Sequence, residues 1–132
     1  MKAEWISFAF FFLAALIHIG FFVFESILLQ KPKFAAKMRM NPVEHSHIKP
    51  WAFNQGFYNL FLAIGTFVGL YMIFQKKIMT AGAVVSVCGI SMIAAGVVLW
   101  FSVPRMRKGA LLQMLPPILG FFFLFFHIRG SL

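Results

Sequence analysis

The chain has 132 residues, 61% hydrophobic and only 11% charged, with 19 Phe and a formal net charge of +9. A soluble domain of this length is about half apolar and about a quarter charged, so a soluble globular fold does not fit. The basic residues sit between apolar runs rather than along one face, which suits membrane topology and anionic lipid and speaks against a nucleic-acid partner.

One membrane crossing takes about 20 apolar residues, because the hydrocarbon core is about 30 Å thick and a helix rises about 1.5 Å per residue. The length allows one domain and four such helices. The expected fold is therefore all-α: an integral membrane bundle of four transmembrane helices, with a short interfacial segment after the first.

The first helix is expected over residues 5–29. It is too long for the apolar part of a signal peptide and has no A-x-A site before a polar start, so it reads as a retained helix. Lys31-Pro32-Lys33 ends it: proline disfavours continuation and the lysines mark the headgroups. A loop is expected over 30–50. Within it, KFAAKMRM sets Phe34 and Met38 four apart beside Lys33 and Lys37, which suits a short helix on the membrane surface. Asn41-Pro42 breaks that helix. The second transmembrane helix is expected over 51–74, anchored by Trp51, and Lys76-Lys77 makes a tight turn. The third spans 78–101, closed by Trp100 and Pro104. The fourth spans 110–127, with a kink at Pro116-Pro117.

Eight basic residues fall in the first loop and the third turn: Lys31, Lys33, Lys37, Arg39, Lys49, Arg105, Arg107 and Lys108. Four fall on the other side: Lys2, Lys76, Lys77 and Arg129. The positive-inside bias therefore places the first loop in the cytoplasm and both termini outside, in a cell (inner) membrane. Gly82, Gly89 and Gly96 repeat every seven residues on the third helix, and the second carries Gly65-x-x-x-Gly69. Small residues in such register let helix backbones approach closely. Cys88 is the only cysteine, so no intrachain disulfide exists; inside an apolar run it reads as a small hydrophobe.

The polar residues of the apolar runs gather at few depths. His18 and Glu25, seven apart, share a face of the first helix. Glu25 lies about 7 Å from the end of its run and His18 near the middle. On the second helix Asn54 and Gln55 lie near the same boundary, with Asn59 deeper and on the face of Gln55. Gln113 lies about one turn into the fourth helix. Antiparallel helices thus place Glu25, Asn54, Gln55 and Gln113 at one level, with His18 and Asn59 below. A carboxylate at membrane depth must be protonated, paired or hydrated, and buried acids in membranes are functional by default. Amides in such helices also serve simply as hydrogen-bonding glue. Glu44-His45-Ser46-His47 offers a scrap of metal-ligand chemistry in the loop, too weak for a zinc site. No metal or cofactor is expected. No phosphate loop, zinc-protease helix or nucleophile elbow is present.

These residues resemble the bacterial membrane family filed as domain of unknown function 1304. The resemblance rests on HIGFFVFE (His18 to Glu25), NQGFYN (Asn54 to Asn59), an LA-x-G segment (Leu62 to Gly65) and Q-x-x-P (Gln113 to Pro116). The family often follows its glutamate with EMFLW; here the stretch is ESILL, without the tryptophan. The resemblance implies a small four-helix membrane protein and one grouped site of His18, Glu25, Asn54, Gln55, Tyr58, Asn59 and Gln113. It implies no activity and leaves open whether the protein is an enzyme. Three functions follow as expectations: binding of a lipid or small amphipathic ligand at a polar intramembrane site near the cytoplasmic leaflet, a structural subunit whose polar cluster fixes helix packing, or a small proton-coupled transporter. The expected partners are membrane lipids, a small amphipathic ligand, and a second copy or a larger membrane complex.

Overall fold

A computed structural model describes residues 3–129. Lys2, counted above among the basic residues, lies outside them. Helix α1 spans Ala3–Phe22 and continues as a π-helical segment, Val23–Leu28. A short helix α2 (Pro32–Lys37) is followed by α3 (Pro42–Phe74) and α4 (Ile78–Ser102). A 3-10 turn at Pro104–Met106 leads into α5 (Arg107–Arg129). No strand occurs among the described residues. Four segments are long and apolar enough to cross a membrane: Glu4–Leu28, Pro42–Phe74, Ile78–Ser102 and Pro104–Arg129.

The second of these corrects the sequence expectation, since α3 begins at Pro42 rather than near residue 51. Asn41 caps it: the Val43 N–H donates to Asn41 Oδ1 at 2.9 Å. Pro42 takes the first helical position, where a missing N–H costs nothing. Glu44 adds an acidic group in the first turn. Pro50 lies inside the helix, within a stretch polar enough for water to serve the carbonyl that proline cannot. At about 1.5 Å per residue, 33 residues span about 50 Å, some 20 Å more than the hydrocarbon core. The surplus is the polar N-terminal part, which leaves about residue 54 to Phe74 as the stretch apolar and long enough to cross. α5 runs unbroken through Pro116 and Pro117.

The turn after α3 closes with Lys76 at φ 58°, a left-handed position. Lys77 N–H reaches back to Met72 O at 3.0 Å and Lys76 N–H to Ile73 O at 3.0 Å, satisfying the last carbonyls of the helix.

The chain divides into two compact units. One comprises residues 3–17 and 62–129. Its core is Phe11, Leu70 and Val85, with Phe8 and Phe121 against them. Phe11 and Phe121 meet edge to face, ring centroids 5.0 Å apart. The Ser7 hydroxyl donates to Gly120 O at 2.8 Å, tying α1 to α5. The glycine stripe of α4 divides in its roles. A Cβ on Gly89 would meet the Phe121 ring at 2.9 Å, and one on Gly96 would meet Met114 Cβ at 2.7 Å. A Cβ on Gly82 would meet nothing within 4 Å, so this member of the stripe borders open space instead of a neighbour.

The other unit is His18–Phe61. α3 buries Ala52, Gly56 and Asn59 within it, a three-four stripe of small and polar residues. A Cβ on Gly56 would collide with the Ser26 hydroxyl. α2 turns Ala35 inward and sets Phe34 edge-on against Phe24, at 5.9 Å.

The two stripe positions on α4 are expected to respond with opposite signs. Gly89→Ala forces the Phe121 ring to shift and should cost about 1–3 kcal/mol. Gly82→Ala meets no atom and should be neutral or gain up to about 1 kcal/mol from helix propensity. Thermal unfolding in a single detergent compares them.

Candidate functional site

The site grows from the end of the first membrane-length helix. There the chain leaves α-helical winding: the Leu29 N–H donates to Phe24 O at 2.8 Å, an i→i+5 bond. Wider turns of this kind recur at functional sites. They also change the angular step per residue, so seven-residue spacing no longer gives the facing of an unbroken α-helix. The segment carries Glu25 and Ser26.

Four side chains join this end of helix one to α3 and the short chain between them. Asn59 Nδ2 donates to Glu25 Oε2 at 2.8 Å. The Ser26 hydroxyl donates to Phe53 O at 2.7 Å. Gln30 Nε2 reaches both Glu25 O, at 2.8 Å, and Lys49 O, at 3.1 Å. His45 Nε2 meets Leu29 O at 2.6 Å and is buried. His45 is thereby occupied as a tie between segments, and no group of three or more metal-ligating side chains occurs among the described residues.

The residues expected to form the site divide as follows. Glu25 and Asn59 are in direct contact. His18 is buried at 1% exposure, its ring edge-on to Phe21 at 5.7 Å. Asn54, Gln55 and Tyr58 stand on the exposed surface of α3, Tyr58 at 56% exposure. Gln55 stands one turn before Asn59, as expected, but only Asn59 is buried: the buried stripe is Ala52, Gly56, Asn59, and Gln55 lies one position off it. Asn54 and Gln55 lie where the polar first part of α3 gives way to its apolar part, and amides at such a boundary in a membrane can be satisfied by headgroups and water. Gln113 is buried in the other unit, its Cγ 3.2 Å from where a Gly96 Cβ would stand.

Sequence reasoning passed over Ser26 and Gln30, and weighed His45 only as a metal ligand rather than as a tie to Leu29 O. Ser26 follows Glu25 within the π turn and Gln30 lies two residues beyond its end, and three polar residues within six at a helix end were the available signal. The chemistry of the arrangement is plain. A carboxylate offers about four acceptor positions. Asn59 supplies one donor, so Glu25 retains capacity for a hydroxyl, an ammonium or water.

An all-helical protein with four membrane-length helices and a carboxylate–amide pair at the end of the first crossing is the class this geometry defines. A family model described as "Protein of unknown function (DUF1304)" matches residues 12–125, and the chain belongs to this family. His18, Glu25, Asn54, Gln55, Tyr58, Asn59 and Gln113 all lie within the matched segment. No curated protein and no solved structure matches the chain.

Removing the amide donor should be felt in stability. Asn59→Leu is expected to cost about 1–3 kcal/mol, the penalty for stripping a hydrogen bond from a partly buried polar group. Asn59→Asp should cost more, because two carboxylates then face each other, and adding Glu25→Gln should recover much of the loss. A double-mutant cycle by thermal unfolding in lipid–detergent micelles reads this out.

Proposed function

We propose that this protein is a multi-pass cell-membrane protein that binds the polar head of a lipid or small amphipathic molecule at Glu25. The observation that carries the reading is the Glu25–Asn59 hydrogen bond at the start of a π turn. It anchors a carboxylate near the hydrocarbon boundary through one donor and leaves its other acceptor positions for a ligand. A donor-bearing head, ammonium or hydroxyl, is the complementary chemistry. The exposed amides Asn54 and Gln55 and the Tyr58 hydroxyl lie on the same stretch of α3 and can orient such a head. In this reading the first loop faces the cytoplasm and both termini face outside, in keeping with eight basic residues against four.

A second reading rests on a different observation. The ties Ser26–Phe53, Gln30–Lys49 and His45–Leu29 surround the same carboxylate, as in a clasp whose purpose is to fix helix packing.

The two readings part in a lipid comparison. Phosphatidylethanolamine carries N–H donors and phosphatidylcholine carries none. Ligand binding predicts that the first raises the thermal midpoint of the micellar protein by several degrees more than the second, and that Glu25→Gln abolishes the difference. Equal responses to both lipids, with Glu25→Gln itself lowering the midpoint, would establish the clasp. Orientation is read separately: a cysteine at Lys76 should react with an impermeant maleimide from outside intact cells, and one at Lys33 only after lysis.

A further inference from the structure

The unit made of residues 3–17 and 62–129 holds a cavity of about 370 Å³. It lies where α1 begins, α3 gives way to α4, and α5 ends. Phe8, Phe11, Leu70, Ile73, Ile78 and Val85 supply its apolar wall. Gly82 borders it, and the absence of any atom within 4 Å of a Gly82 Cβ shows how the space arises. At the rim, His127 Nε2 stands 3.4 Å from Glu4 Oε2. Both side chains are part-exposed, at 37% and 42%. Trp5 lies on the same rim.

The volume falls at the small end of ligand pockets, which run from about 300 to about 1,000 Å³. At about 30 Å³ per water-sized group the cavity takes about a dozen such groups. That suits one acyl chain and is too small to enclose both chains of a phospholipid. The rim chemistry narrows the head. A carboxylate repels an anionic head, and an imidazole N–H beside it is a donor. A hydroxyl can join this pair by donating to Glu4, whose carboxylate keeps further acceptor positions beside the one facing His127.

The geometry points to a binding site for a single-chain amphiphile with an uncharged hydroxyl head, its chain among Phe8, Phe11, Leu70 and Val85 and its hydroxyl donating to Glu4 at the Glu4–His127 pair. Neither Glu25 nor Asn59 takes part, so the site stands or falls independently of the function proposed above.

Trp5 provides the reporter. Full-length protein with Trp51→Phe and Trp100→Phe, in phosphatidylcholine nanodiscs, is titrated with ω-bromododecanol, whose bromine quenches tryptophan on contact. Quenching should saturate and be reversed by unbrominated dodecanol. ω-Bromododecanoate, with the same chain and an anionic head, should bind about tenfold more weakly. Gly82→Leu fills the space and should abolish the saturable component, whereas Gly20→Leu, placed where a Cβ also meets nothing within 4 Å, should leave it intact. Glu4→Ala removes the acceptor from the rim without touching the core and should weaken dodecanol about tenfold. Should Gly82→Leu fail to fold, Glu4→Ala decides the matter. Quenching that rises linearly with every probe and is unchanged in these variants overturns the site. Saturable binding in which the carboxylate is as tight as the alcohol overturns the assigned head.

Discussion

The hydrogen bond from Asn59 to Glu25 sets the terms for the chain between the first helix and α3. A carboxylate near hydrocarbon is costly unless neutralised, paired or hydrated, and an amide next to lipid is costly unless bonded. Each group meets part of the other's need. To bring them together, helix one winds more widely over its last turns and α3 presents a stripe of small residues, so that Ser26 can lie against Gly56. The remaining ties, at Phe53, Lys49 and Leu29, all use backbone carbonyls as acceptors. The clasp therefore needs few side chains beyond its donors.

The other unit is organised by shape rather than by polar bonding. Aromatic rings fill its centre, and glycines on α4 decide where the rings can go. Gly89 and Gly96 admit neighbours closely, while Gly82 admits none and leaves a chamber. One repeated residue thus serves both close packing and vacancy, and only the partner helices determine which. The Ser7 bond to Gly120 O shows the same economy, since a small hydroxyl and a bare backbone let α1 and α5 touch.

Much of this was legible in the sequence. Four apolar runs, punctuated by lysines, arginines and prolines, gave the helices and their turns, because the bilayer's thickness leaves little freedom in element length. The failures have local causes. Asn41-Pro42 reads equally as a helix breaker and as a cap followed by proline at the first helical position, and a loop expectation for 30–50 favoured the wrong sense. The π turn has no periodic signature, so the facing of residues around Glu25 was argued from ideal α geometry. Spacing alone groups Gln55 with Asn59 and does not tell the buried residue from the exposed one; the small residues Ala52 and Gly56 mark the inward stripe. The Glu4–His127 rim was invisible because its two residues stand 123 positions apart and meet only through packing.

The length of α3 has an architectural consequence. A helix of about 50 Å is longer than a film of about 30 Å is thick, so in a bilayer its first turns would stand above the surface as a stiff post. α2 and the capped start of α3 leave residues 38–41 as the one stretch of non-helical backbone between Pro32 and Phe74. The connection between the first two crossings is accordingly built as scaffolding, and residues 38–41 are its natural point for grafting an epitope or a fluorescent reporter without disturbing the clasp beneath.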